Sequence, residues 1–354
     1  MFEALSHVGA MELTFDKARR VAAGYVSDFR IGAFGLDARF LDSPRHTQLA
    51  VAATALALRD AGISLAEARK RRPLVAMAQP VAERQDIFSC QPEKASSMQT
   101  ELLNFVCGTL AREQPNFVSS LDAIAFAAAQ VSEGHADLAI CGGADALTNA
   151  SVLEDLRRLG LAAGHDRDCD RQCRPFDLWR SHGVLAEGAC MFVLEAESSP
   201  RHPTGHVMGG GNARDPDGAP WSSFASALKL ALGNAGKRPL QVDCIYADGV
   251  GQKELDSAEA KALENAFGDH LAEVPAVSIK GAVGNALGAA GAFQVGCAVL
   301  GMRHSIIAST VNWRHPDPAC QLNLSPSVRM LATGTTLVLG RDPSGLVSAL
   351  LLSP

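Results

Sequence analysis

The chain has 354 residues, 47% of them apolar and 20% charged, with a net charge of −6 at pH 7. That length exceeds one small core, and the composition excludes a disordered or low-complexity protein. The acidic balance, with no interleaved basic and aromatic stretch, argues against a nucleic-acid partner. Nine cysteines are spaced irregularly without a CxxC pair. Cys169 and Cys173 lack the second pair a zinc site needs, so the thiols read as reduced and cytoplasmic, with no metal expected. "MFEALSHVGAMELTF" has neither the basic start nor the apolar run of a signal peptide, and no run is long enough to cross a membrane.

Strands and helices alternate along the chain. "SPRHTQLAVAATALALRDAG" predicts a helix with Ser43 as N-cap, Pro44 in the first turn and a stop at Gly62. The basic run Arg69–Arg72 ends the next helix, where it is either a solvated helix end or a dock for an acidic partner. A buried strand is expected over 73–79 and a helix over 96–113. "DAIAFAAAQVSEG" predicts a mostly buried helix capped by Asp122, and "ADLAICGGADA" a strand running into a Gly-Gly turn at Gly142 and Gly143. "ACMFVLE" is a further strand, and the Pro/Gly-rich stretch 197–219 reads as a loop between two halves, 1–199 and 200–354. The second half repeats the rhythm: helix, "VDCIYADG", helix, "PAVSIKG", a Gly/Ala helix over 285–302, then "SIIAST", "GTTLVLG" and "GLVSALLL". Buried strands joined by helices imply an α/β fold with mainly parallel sheets covered on both faces.

Four stretches in order carry a resemblance. "RPFDLWRSHGVLAEGACMFVLE", "HADLAICGGADA", "YADGVGQKELDSAEAKAL" and "SIKGAVGNALGAAGA" resemble signatures of the β-ketoacyl synthase family. The resemblance implies a thiolase-like duplicated αβαβα layered fold, from about residue 38 onward, whose usual N-terminal strand is missing or divergent here. Family members load an acyl chain onto a cysteine at a helix N-terminus, where the helix dipole favours the thiolate. Two histidines then stabilise the enolate formed by decarboxylation of a malonyl thioester.

Here the three groups are absent. Counted without gaps, the cysteine position falls on Phe117; matched through "PNF" (115–117), it falls in a deletion ahead of the helix. Neither alignment supplies a cysteine, and Cys107 lies inside the preceding helix. The histidine positions fall on Asp248 and Asn285, and the family's Gly-rich gate on "VRMLAT" (328–333). Lys280 and Glu259 are retained, which the resemblance assigns to loop support through hydrogen bonds and an ion pair. His182 reads as a turn residue, and the Gly-Gly pair as a tight turn rather than a phosphate cradle. An ionised aspartate donates no hydrogen bond, so Asp248 cannot replace a histidine.

The resemblance narrows to the chain-length factor, the non-catalytic ketosynthase β subunit of type II polyketide and polyene synthases. It implies a heterodimer with a catalytic ketosynthase α subunit, contact with acyl carrier protein through that complex, and no cofactor. Candidates for the tunnel end or interface are Ile87, Phe88, Leu102, Leu103, Phe105 and Val106, each also readable as plain core. Two other readings remain: a malonyl-carrier-protein decarboxylase, and a homodimeric acyl-chain-binding protein.

Overall fold

The computed structural model describes residues 8–13, 16–34, 36, 38–84, 97–107, 117–163, 167–199, 201–214, 219–332 and 334–354. A hairpin of β1 (Val8–Leu13) and β2 (Asp16–Gly24) comes first. Helices α1 (Arg45–Asp60) and α2 (Leu65–Arg71) lead to β3 (Leu74–Met77), α3 (Ser97–Cys107), α4 (Ser120–Ser132) and β4 (Ala139–Asp145). Helix α5 (Ala150–Arg158), β5 (Leu185–Ala186) and β6 (Gly188–Leu194) follow. The second half runs β7 (His206–Arg214), α6 (Pro220–Asn234), β8 (Cys244–Tyr246), α7 (Lys253–Phe267), β9 (Ala276–Val277) and α8 (Lys280–Val283). It closes with α9 (Ala290–His304), β10 (Ile306–Ile307), β11 (Arg329–Met330), β12 (Thr336–Arg341) and β13 (Leu346–Ser353).

Two sheets carry the fold. One has the order β3-β4-β6, the other β7-β13-β12-β8-β9. Both are mixed: β3/β4, β12/β8 and β8/β9 are parallel, while β4/β6, β12/β13 and β13/β7 are antiparallel. Side-chain alternation sorts residues into layers. Leu337, Leu339, Val347, Ala349 and Leu351 face outward, onto Phe224 and Leu228 of α6 and Leu263 of α7. Val338, Leu350 and Leu352 face inward, onto a layer made by Ile124 and Ala127 of α4 and Val295 and Ala298 of α9. Cys141 of β4 meets that layer from the other side, while Ile140 faces outward with residues of α1 and α3. The result is the expected αβαβα stack, with two alanine-rich helices in the middle.

Four local expectations change. Helix α1 is capped by Pro44 rather than Ser43, whose hydroxyl instead donates to Glu101 at 2.6 Å. Ser119, not Asp122, caps α4, its hydroxyl accepting from the Leu121 N–H. The stretch read as a loop over 197–219 contains β7. Its glycines are in a strand because helices press on it: a Cβ on Gly211 would lie 2.5 Å from the Ala231 nitrogen, and one on Gly210 2.7 Å from Ala125 Cβ. Gly142 and Gly143 lie within β4, not at a turn, because a Cβ there would strike the carbonyl oxygens of Cys190 (2.1 Å) and Gly288 (2.4 Å).

The N-terminal expectation is answered by the hairpin. β2 pairs in parallel with β5, not with β6, so among the described residues no strand flanks the outer edge of β6. Two members of the basic run are engaged locally, Arg69 donating to the Phe105 carbonyl and Arg71 to Glu195 and the Asp137 carbonyl, while Lys70 and Arg72 are exposed. Among the described residues no single helix is long and apolar enough to cross a membrane.

Candidate functional site

The site is built where strands end. Phe117 adds one bridge beyond β3: its N–H donates to the Met77 carbonyl (3.3 Å) and its own carbonyl accepts from the Gln79 N–H (2.6 Å). This places Val118–Ser120 at the N-terminus of α4. Asp248 follows β8, and Asn285 follows α8. Val118–Ser120, Asp248, Leu287 and Gly340–Asp342 line one hollow, together with Ala290 and Gly291 at the start of α9. It is a shallow, partly open hollow with room for about one water molecule.

The three positions singled out in the sequence thus do not share one lining. Asp248 lines the hollow itself. Phe117 does not; its ring packs on Phe126 with centroids 5.2 Å apart. Asn285 does not either. Its backbone joins β5 through Val184 (2.7 Å) and Ala186 (2.8 Å), and its side-chain oxygen accepts from the Leu287 N–H. This amide shapes the corner into α9.

Charge at the site is held in pairs. The Lys280 ammonium donates to the Asp248 carboxylate, and both side chains are 2% exposed. Glu259 is not the lysine's partner as the resemblance implied. It accepts instead from the Asp248 N–H (2.6 Å) and the Gly249 N–H (2.9 Å), fixing the loop after β8. Burial, and next the Asp248 charge, push the Glu259 carboxyl up to about 8. Burial likewise raises Asp256 to about 7, although it accepts from the Phe176 N–H and faces Arg180. Phe176 and Asp177 of the "RPFD" stretch are scaffold. The Asp177 carboxylate accepts from the backbone of Trp179, Arg314 and His315 (2.7–2.9 Å). Glu187 of the "EGA" stretch binds Arg45 and the Val26 N–H, tying the N-terminal segment down.

Sequence reasoning missed the other wall. Arg84 and Asp342 form a buried bidentate pair at 2.9 and 3.2 Å, and Arg84 also donates to the Val118 carbonyl. They are 258 residues apart, and "GRDPSG" between two apolar strands reads as an exposed hairpin turn. The segment 328–333, on which the resemblance put the family's Gly-rich gate and which has no glycine of its own, does not border the hollow with any of its described residues. Arg329–Met330 forms β11 against β10, with Met330 80% exposed, and the segment that reaches the hollow is Gly340–Asp342. The reason is the strand order: β12 is central, so its C-terminal end meets those of β8 and β9.

The remaining candidates lie elsewhere. Leu102, Leu103, Phe105 and Val106 are buried in the outer core with Met77, Ile140 and Met191, and Phe105 meets Phe40 edge-on at 5.6 Å. Ile87 and Phe88 lie outside the described residues. The Cys107 thiol is buried, raised by that burial, and directed at the Pro73 carbonyl. His182 is half-buried beside the Gly183 carbonyl. Among the described residues no group of His, Cys, Asp and Glu is arranged to hold a metal.

Comparison with known proteins now fits this geometry. The family model "Beta-ketoacyl synthase, N-terminal domain" matches residues 118–199, and "Beta-ketoacyl synthase, C-terminal domain" matches 204–314. The chain belongs to the β-ketoacyl synthase family. It is 30% identical over 346 residues to the granaticin polyketide putative beta-ketoacyl synthase 1 of Streptomyces violaceoruber, covering 87% of this chain and 82% of that one. It is 31% identical over 248 residues to the tetracenomycin polyketide synthase ketoacyl synthase alpha subunit of Streptomyces glaucescens, covering 66% of this chain and 58% of that relative. A beta-ketoacyl synthase from Burkholderia phymatum STM815 shares the fold with a TM-score of 0.84 and 23% identity, over 99% of this chain and 92% of the other. The ishigamide ketosynthase/chain length factor does so with a TM-score of 0.79 and 23% identity, over 94% and 87%. The thiolase-like ketosynthase fold is thereby established, and the chain is type II polyketide ketosynthase-like.

Proposed function

We propose that this family member is a non-catalytic subunit, a chain-length factor. It heterodimerises with a catalytic ketosynthase, closes the far end of that partner's acyl tunnel in type II polyketide or polyene biosynthesis, and meets acyl carrier protein through the complex. One observation carries the reading: the groups lining the hollow are carboxylates, a guanidinium and hydroxyls, with no thiol or imidazole among them. Acyl transfer needs a thiolate, and enolate stabilisation needs neutral or cationic hydrogen-bond donors. Asp248 is held by Lys280 and, ionised, donates nothing. The hydroxyl oxygens of Ser119 and Ser120 accept from the Leu121 and Ala292 N–H groups and so hold the start of α4.

A second observation favours a partner. One flank of the central layer leaves Phe117, Phe126, Cys190, Phe192, Phe293 and Val299 only half-buried. A subunit covering such a flank stabilises the fold through burial even when its own chemistry is gone. Co-expression with a ketosynthase that carries Cys-His-His tests this. A stable stoichiometric complex is expected; a homodimer that ignores the ketosynthase would remove the reading. Turnover of malonyl-carrier protein by the isolated chain would overturn its non-catalytic part. Trimming Leu102 or Phe105 to alanine in the complex tests the tunnel role: longer products mark a wall, and unchanged products with intact assembly mark plain core.

A further inference from the structure

We propose that the outer edge of β6 takes up an extended, uncharged segment of a partner polypeptide as one more antiparallel strand. The proposal concerns this chain's own sheet and does not rest on the ketosynthase reading. Hydrogen-bond direction shows which groups of β6 are free. The N–H groups of Leu74 and Ala78 in and after β3 donate to the carbonyls of Leu138 and Gly142. The alternate residues Ala139, Cys141 and Gly143 of β4 therefore point the other way, at β6. Their register partners are Leu194, Phe192 and Cys190. Ala189, Met191 and Val193 thus turn their N–H and C=O groups outward, and none of these groups is paired with a described residue. Such an edge is a template for another strand. The second half shows what it accepts: there β7 lies antiparallel on β13, the counterpart of β6.

The chemistry of the partner segment follows from the walls. On one face of β6, Cys190, Phe192 and Leu194 are half-buried with Phe293 and Val299 of α9. On the other, Ala189 and Val193 are half-buried with Ala53 and Ala57 of α1. Both walls are apolar, so the added strand carries apolar side chains on both faces. In its own place β7 does the same, with Val207 packed into the central layer and Met208 into the outer core. Charge is confined to the two ends of the edge: Glu187 is paired with Arg45, and Glu195 with Arg71 and Arg201. A segment lying along Gly188–Leu194 between these pairs meets no charge, and a charge of its own would be buried unpaired. A second copy of the chain fits less well. It would bring its own α1 and α9 against these two helices, whereas a single strand brings none. Main-chain hydrogen bonds would hold the segment and the two apolar walls would select it.

The probe is a blocked, fluorescein-labelled peptide of alternating valine and alanine with a lysine at each end, added to the full chain. The control is the same peptide N-methylated throughout its core, which keeps the side chains and removes the backbone donors. Saturable binding is expected in fluorescence polarisation, with slowed hydrogen exchange at the amides of Ala189, Met191 and Val193. The methylated peptide should bind about tenfold more weakly or worse, the scale of one or two lost backbone hydrogen bonds. Val193→Pro removes one outward donor and should weaken the probe by about tenfold. Val193→Lys leaves the backbone intact and sets a charge against the α1 wall; as the second variant it should weaken the probe too. No saturable binding to the wild-type chain, equal binding of the methylated peptide, or unchanged affinity in a folded variant overturns the proposal. Slow exchange at the same amides in the peptide-free chain would show the edge already filled, by a second copy or otherwise, and overturns it equally.

Discussion

The two halves of this protein are built on one plan and finished differently. In the second half β8 and β12 are parallel, β13 returns antiparallel, β7 flanks β13 and β9 flanks β8. In the first half β3 and β4 are parallel and β6 returns antiparallel, as in the second. There the counterpart of β9 is a single bridge at Phe117, and no described strand stands where β7 would. The consequence is visible in burial. Val347–Leu352 of β13 are buried throughout, whereas β6 keeps only Gly188 and Met191 fully buried. A strand flanked on both sides and covered on both faces has no exposed surface; one with an open edge does. The second half also holds a buried ion pair, Lys280 with Asp248, at the ends where the first half places the Phe117 ring.

Four perturbations probe this contrast. The largest effect is expected at the ion pair. Lys280→Ala leaves the Asp248 carboxylate buried and uncompensated, and should cost about 3–5 kcal/mol in chemical denaturation. A Lys280→Met, Asp248→Leu double variant should recover much of that loss; equal loss in both would show that packing, not charge, dominates. Next is a matched pair on the two returning strands. Val347→Ala in β13 should cost about 2–3 kcal/mol, and Val193→Ala in β6 about 1 kcal/mol or less. Equal costs would mean that β6 is covered as fully as β13 in the protein's working assembly.

The third concerns pH and belongs to the second half alone. Asp256 and Glu259 have ordinary values of 3.8 and 4.5, raised mainly by burial to about 7 and about 8. A carboxyl raised on folding binds its proton more tightly in the native state. Its stabilising contribution is therefore full below the unfolded value and is lost as pH rises through the folded one. Stability should fall between about pH 5 and 8, with a slope of at most ~1.4 kcal/mol per pH unit for each group. Glu259→Gln should flatten that slope in urea titrations followed by circular dichroism; an unchanged slope would assign the dependence to other groups. The last effect, also small, is at the first half's own strand end. Ser119→Ala removes the α4 cap and should cost about 1 kcal/mol, read as a shift in the denaturation midpoint.

The layered fold was legible because apolar runs and Gly/Ala-rich helices report burial directly. The motifs around Phe176 and Asp248 marked segments that do meet, with the Phe176 ring against Gly249. Less legible were features set by what approaches from elsewhere in the chain. Gly209–Gly211 resembled a loop, because glycine in a strand interior makes sense only when helix α6 is known to press on it. The partner of Lys280 was misread, because Asp248 and Glu259 are both near in sequence and only the three-dimensional path of α7 separates their roles.

What the sequence by itself determined is the family and the layered α/β architecture. Those depend on residue identity and local spacing. Tertiary structure alone decided which charged groups meet. Arg84 meets Asp342 across 258 residues, and the hollow that Asp342 borders forms only where the end of the central strand β12 meets the starts of α4 and α9. Long-range pairing of charges is fixed by strand order, and strand order is a property of the assembled sheet rather than of any stretch of chain.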